Sequence, residues 1–217
     1  MILVPVKNLA TAKQRLASVL DQAARTELAK AMLCDVLEVL AAWANRLKVA
    51  IVTSDPFAID LAGQFGFQVI HDDRNRGETD AIEMATAKCE QRGVQSTLVI
   101  PGDIPLIRVG ELEAIFQAAP AEGSVLVPAA DRRGTNAALR RPARLFPLRF
   151  GNDSFQPHLT AARATGKPCV VLELSGIALD VDRPADLRVL AEATGETRSQ
   201  RLARQWEIAD LPRAANE

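Results

Sequence analysis

Three cations fall within nine residues near the start of the chain, Lys7, Lys13 and Arg15 in VPVKNLATAKQRL. Lysine and arginine on a loop, with backbone amides close by, can neutralise a polyphosphate, and the arginine fork suits bidentate contact with phosphate oxygens. The alternative is a solvated segment leading into a helix, with Arg15 lying on that helix's surface. Lys7 stands directly at the end of an apolar run and is the best placed of the three. Neither GxxxxGKS/T nor GxGxxG is present, which argues against P-loop ATPases and dinucleotide-binding dehydrogenases.

Three aspartates could complement these cations. Asp103 ends the apolar run of VIPGDIPL, held between a glycine and two prolines on a turn too stiff to swing away. In LDVDRPADL, Asp180 and Asp182 alternate along an extended segment, so both side chains point to one side. Two acids on one face repel unless a cation joins them, and carboxylate with phosphate oxygen is the ligand set magnesium prefers. Each aspartate alone could be a turn or N-cap carboxylate, and Asp186 is assigned to that structural role. Together, at strand ends, Asp103, Asp180 and Asp182 favour a metal site.

A further pair of segments, RRGTN and FGNDSFQPH, is rich in glycine and small hydroxyl residues. Thr135, Gly151 and Ser154 could offer hydroxyl and backbone donors to a small anion, and a helix beginning near Ser154 would aim its positive end there. His158 is either a base or a satisfied helix residue. His71 has no second histidine at ligand spacing, which argues against zinc.

These residues need a scaffold, and the periodicity supplies one. ILVPV is a short buried strand; residues 22 to 44 carry apolar side chains at helical spacing; LKVAIVTSD, a helix FAIDLAGQFG closed by glycine, and FQVIHDD follow. The alternation continues as helix 78–92, strand STLVIPGDIPL, helix 109–119 and strand SVLVPA. Continuous apolar strands alternating with helices predict a doubly wound, mostly parallel sheet covered on both faces, in which ligands bind beyond the carboxyl ends of the strands. After residue 134 strand and loop signals mix, a helix is expected near 155–165, CVVLEL and ALDVD read as strands, and 185–206 reads as helix. The expectation is one domain over residues 1–206 with a flexible tail at 207–217.

Composition narrows the function. A net charge of −1, with both signs interspersed, gives no field for drawing in nucleic acid or an anionic membrane, so an anion site must be local. Cys34, Cys89 and Cys169 stand far apart without CxxC spacing and read as reduced, buried thiols. No apolar run approaches the ~20 residues that span a bilayer, and the N-terminus lacks the features of a signal peptide. A soluble cytoplasmic protein is expected.

With these segments in hand, the sequence resembles the guanylyltransferases of deazaflavin coenzyme (F-420) biosynthesis, the CofC/FbiD family, from about residue 2 to residue 190. PGD and DVDRPADL suggest the wider nucleotidyltransferase superfamily; the GTN and FGxxS pair with the K-x5-K-x-R start is more specific. The resemblance implies a Rossmann-like three-layer fold of nucleotide-diphospho-sugar transferase type. It also implies a reaction between GTP and phosphoenolpyruvate, 2-phospho-L-lactate or 3-phospho-D-glycerate that releases pyrophosphate. By motif, Asp103, Asp180 and Asp182 would hold Mg2+, Thr135, Gly151 and Ser154 the acid, and Lys7, Lys13 and Arg15 the triphosphate, with Pro5 and Gly102 lining the nucleotide site.

One segment departs from the family pattern. Where something like GLNxA is expected near the nucleoside, the chain reads RGETDAIEMA, with Thr79 and Asp80 in place of the Leu-Asn pair. Asp80 could accept hydrogen bonds from guanine's N1 and N2 donors. Competing readings are a nucleotidyltransferase acting on a sugar phosphate or molybdopterin, and a non-catalytic nucleotide-binding protein. A reactive activated acid gains from rapid handover, so the next enzyme of the pathway is an expected partner; monomer and homodimer both stay open.

Overall fold

The computed structural model describes residues 1–43, 48–74, 76–151 and 153–207. Strand and helix alternate as β1 (Ile2–Val6), α1 (Gln22–Ala42), β2 (Val49–Thr53), α2 (Pro56–Phe65), β3 (Gln68–His71), α3 (Glu78–Gln91), β4 (Thr97–Val99), α4 (Val109–Ala118) and β5 (Gly123–Pro128). The order matches the periodicity because each strand is a short apolar run and the helix boundaries carry local signals. Asp21 caps α1 by accepting from the Ala24 amide at 2.8 Å. Asp55 and Pro56 start α2, and Gly66, at φ 69°, ends it in the left-handed conformation that glycine adopts without strain.

The second half is β6 (Thr135–Arg141), α5 (Phe155–Ala164), β7 (Cys169–Val171), the single turn α6 (Ser175–Ala178), α7 (Pro184–Glu192) and α8 (Arg198–Gln205). All seven strands form one sheet in the order β3-β2-β1-β4-β6-β5-β7. Strand β6 runs antiparallel to both β4 and β5, and the other pairings are parallel.

Three expectations need correction here. The segment after residue 134 contains a full strand, β6. ALDVD is not a strand: after α6 it is extended, but its backbone bonds a loop, with the Val181 amide donating to the Asp103 carbonyl at 3.2 Å. Residues 185–206 form two helices, because the chain turns at Gly195, φ 126°, and Thr197 caps α8 by accepting from Gln200. The expected tail, apart from Glu207, lies outside the described residues.

Alternation along β1 explains the layers. Ile2 and Val4 face one side and pack with α1, α2 and α4; Leu3 faces the other and packs with α3 and α5. A third apolar cluster joins Leu16 and Leu20 of the basic segment to Leu28 and Met32 of α1, and to Leu179, Val181 and Leu187. Val181 is fully buried, an anchor of roughly 1.5–3 kcal/mol that fixes the flanking Asp180 and Asp182. Of the cysteines only Cys89 is buried outright; Cys34 and Cys169 are half-buried. No described helix is long and apolar enough to cross a membrane.

Candidate active site

Beyond the carboxyl ends of the central strands lie two adjoining cavities. The larger, about 770 Å³, is lined by Arg15, Thr135, Asn136, Gly151, Ser154, Asp180 and their neighbours. The smaller, about 400 Å³, lies along the basic segment, with Pro5, Lys7, Lys13 and Gly102 in its wall. Glu78, Pro101, Asp103 and Asp182 line both. Lys7 and Lys13 line the smaller cavity and Thr135, Gly151 and Ser154 the larger; Arg15, expected beside the two lysines, lines the larger cavity instead, and of the expected aspartates Asp103 and Asp182 line both while Asp180 lines the larger only.

The basic segment is held from outside. Asp55 accepts from the Leu9 amide at 2.9 Å while also capping α2, so one carboxylate fixes loop and helix together. Lys13 has φ 57°, an uncommon left-handed backbone for a residue with a side chain. From there its Nζ donates to Asp103 at 2.6 Å and to Asp182 at 2.8 Å. Its side chain is 7% exposed. Burial, the largest single influence, pulls the Lys13 pKa down, but Asp103 and Asp182 outweigh it and hold the pKa above its ordinary value. Lys7 is exposed in the wall of the smaller cavity, while Arg15 reaches the larger one and pairs with Asp182 at 3.3 Å. The cation most deeply engaged is thus Lys13, not the strand-end Lys7.

The carboxylates differ from one another. Burial raises the Asp180 pKa, a hydrogen bond from Asn136 at 3.0 Å opposes the rise, and Asp103 and Asp182 add to it. Asp182 is lowered: burial works against ionisation, but Lys13 and then Arg15 prevail. Glu78, at the start of α3, is pushed up to about 7 by burial first and then by Asp103. Among the described residues, no three His, Cys, Asp or Glu side chains converge closely enough to hold a metal ion by themselves. Asp186 is structural, as expected: it accepts from the amides of Asp182 and Arg183 at the start of α7.

In the larger cavity the Ser154 hydroxyl accepts from the Thr135 amide at 3.1 Å, and Thr135 Oγ1 lies 2.8 Å from His158 Nδ1. Gly151 has φ 137°, backbone that a side chain would strain. Thr79 clasps Phe150, its hydroxyl donating to the carbonyl and accepting from the amide, which ties α3 to this loop. Asp80 is exposed on the first turn of α3 and is not among the residues lining either cavity.

Sequence reasoning overlooked Glu78, although it sits inside the departing segment RGETDAIEMA. Asn136 was also missed; it is the last residue of GTN, and its amide donates to the Ile177 and Ala178 carbonyls and to Asp180.

The family model for guanylyl transferase CofC-like proteins matches residues 1–214. The chain belongs to the CofC-like guanylyl transferase family. Within it, the chain is 35% identical to the phosphoenolpyruvate guanylyltransferase of Sphaerobacter thermophilus, over 87% of this chain and 90% of that one. It is 32% identical to the 3-phospho-D-glycerate guanylyltransferase of Colwellia psychrerythraea, covering 88% and 90%. The 2-phospho-L-lactate guanylyltransferase of Methanothermobacter thermautotrophicus is 31% identical, covering 85% and 81%. The fold is that of a Desulfovibrio desulfuricans G20 protein described as a nucleotide-diphospho-sugar transferase, with TM-score 0.77 at 20% identity, covering 95% and 94% of the two chains. CMP:2-keto-3-deoxy-manno-octonic acid synthetase has the same fold, with TM-score 0.58 at 17% identity, covering 88% and 95%. This CofC-like chain is a nucleotidyltransferase with the Rossmann-like sheet expected of one.

Proposed function

We propose that the chain transfers GMP from GTP to a phosphorylated three-carbon acid and releases pyrophosphate, as a step of coenzyme F-420 biosynthesis. The observation that carries this reading is the pair of cavities sharing Glu78, Pro101, Asp103 and Asp182. Both volumes suit small ligands. GTP belongs in the smaller one against Pro5, Lys7, Lys13 and Gly102, and the acid in the larger one against Thr135, Gly151 and Ser154. The named relatives act on phosphoenolpyruvate, 3-phospho-D-glycerate and 2-phospho-L-lactate, which sets the acceptor class.

The reaction needs no protein nucleophile. A phosphate monoester has its second pKa near ~6, so its oxygen is already an anion at neutral pH. That oxygen attacks the α-phosphorus of GTP, a new P–O bond forms, and the bond to the β-phosphate oxygen breaks as pyrophosphate leaves. The protein must bring together two anions that repel. The Thr135 hydroxyl and the Gly151 backbone face the acid, with Ser154 fixing Thr135 by accepting from its amide and donating to its hydroxyl oxygen, while Lys7 and Lys13 take up charge developing on pyrophosphate. Asp103 with Asp180 or Asp182 is a hard-oxygen donor set suited to Mg2+, which commonly takes one or two carboxylates and fills its remaining positions with phosphate and water. Bound there, the ion would neutralise phosphate charge.

The test is incubation of the chain with GTP, magnesium and each of the three acids, reading products by mass. A guanosine diphosphate-linked acid formed with matching pyrophosphate is expected for at least one acid. Absence of such a product with all three would sink the proposal, and ATP or CTP in the same assay measures selectivity for the base.

A further inference from the structure

His158 is 1% exposed and lies behind the wall of the larger cavity, where it does not meet the ligand space directly. Its Nε2 lies 2.7 Å from the Arg149 backbone amide. An amide N–H can only donate, so Nε2 must carry a lone pair. The ring is neutral: burial, reinforced by the charge on Arg140, lowers its pKa to about 4. Its single proton therefore sits on Nδ1.

From Nδ1 the direction passes onward. Thr135 Oγ1, 2.8 Å away, accepts the Nδ1–H. The Ser154 hydroxyl donates to the same oxygen at 3.4 Å, having itself accepted from the Thr135 amide. A hydroxyl has one proton and two lone pairs. With both lone pairs engaged, the Thr135 proton has no acceptor left among these partners and is available to the cavity that Thr135 lines. A hydroxyl fixed in this sense favours a group that only accepts, such as a carboxylate or an ionised phosphate.

We propose that His158 is a positioning residue: held as the Nδ1–H tautomer by the Arg149 amide, it keeps the Thr135 hydroxyl a donor toward the anionic acid. The inference rests on the reading of Thr135 as an acid contact and adds the group that sets its polarity. His158 takes no proton in the reaction.

Two measurements test it. Long-range proton–nitrogen correlation spectra of the wild-type chain without substrate should show Nδ1 protonated and Nε2 bare; the opposite tautomer, or a charged ring at pH 7, overturns the proposal. Steady-state kinetics with GTP and phosphoenolpyruvate then compare Thr135→Val, His158→Gln and His158→Asn. In asparagine the amide nitrogen stands near the Nδ1 position and can still donate to Thr135; in glutamine the polar end stands near Nε2 and cannot. Thr135→Val and His158→Gln are expected to raise the KM for the acid about ten- to hundredfold with the KM for GTP within about two-fold, the worth of one hydrogen bond to a charged group. His158→Asn should recover most of that loss, and His158→Gln should add nothing on top of Thr135→Val. Equal losses in the Asn and Gln variants, or additivity with Thr135→Val, overturn the proposal. An Nδ1–H tautomer combined with an unchanged acid KM in Thr135→Val would overturn the acid's placement, and the role of His158 with it. The tautomer measurement uses the wild-type chain, so it stands even if a variant misfolds.

Discussion

Lys13→Met removes one charge and keeps nearly all of the side chain's apolar length. In the native structure that charge lies 2.6 Å from Asp103 and 2.8 Å from Asp182, which are 32% and 37% exposed as side chains. Breaking a fully buried ion pair by deleting one partner costs about 3–5 kcal/mol. Here water reaches both carboxylates, so the loss should be discounted to about 1–2 kcal/mol. For a chain of this size that lowers the melting midpoint by about 2–8 °C. The sign follows from the raised Lys13 pKa: its contribution is fully present below the unfolded value near ~10.4 and is lost only as pH rises through the higher folded value, so it is complete at pH 7–8. A protein with roughly 5–15 kcal/mol of stability stays folded after such a loss, and a fall in turnover then reports chemistry. Removing one preorganised charge from a transition state costs about 10²- to 10³-fold in kcat. Midpoints should be measured in a chelator, so that only the chain's own charges act, and turnover by pyrophosphate release with magnesium. A variant that loses the expected stability yet keeps kcat within about threefold of wild type would make Lys13 a structural counter-ion only. An unchanged or raised midpoint would refute the electrostatic account itself.

Two further outcomes follow from the same geometry. Ser154→Ala opens the Thr135 amide and removes the hydroxyl that donates to Thr135 Oγ1, loosening the Thr135 contact to the acid, so the KM for the acid should rise about two- to tenfold and that for GTP less than about two-fold; equal effects on both substrates would contradict its placement. Glu78 is raised to about 7, chiefly by burial, so in the metal-free protein its contribution to stability is greatest below the unfolded pKa and declines as pH rises toward 7. At 1.36 kcal/mol per unit this reaches about 3 kcal/mol, and partial exposure reduces it to about 1–2. In chelator, Glu78→Gln should therefore be more stable than wild type at pH 8 and nearly equal at pH 5; a difference independent of pH would count against the buried carboxylate.

The alternation of apolar runs with helical spacing made the first five strands legible, because a mostly parallel sheet covered on both faces makes its inner strands simple buried runs, and β3 at the edge still carries Val69 and Ile70. Strand β6 was not: it turns back antiparallel on β5, the strand just before it, and its insertion beside β4 is decided by a partner distant in sequence. ALDVD alternates as a strand would, and the alternation carried real information: Asp180 and Asp182 do face one cavity although no ladder forms. Charge alone could not rank Lys7 against Lys13. The left-handed backbone at Lys13 turns its side chain into the carboxylates, and sequence periodicity has no reading of a positive φ on lysine. Glu78 and Asn136 were passed over for a similar reason, being inside motifs noticed for their neighbours.

What ties the legible and illegible parts together is the backbone bond from Val181 to the Asp103 carbonyl. Asp103 leaves β4 near the middle of the sheet, and Asp182 arrives from the far end of the chain, so neither motif positions the other by its own geometry. The bond sets their carboxylates to either side of Lys13, and buried Val181 holds it from beneath. Asn136, from β6, grips the same segment at Asp180 and at the carbonyls of α6. The residues shared by the two cavities therefore come from three separate stretches, Glu78 of α3, Pro101 and Asp103 after β4, and Asp182 before α7, that meet only in the folded chain. That construction suits a reaction in which two repelling anions must be held apart until they are aligned, because the wall that separates them also carries the groups that act on both.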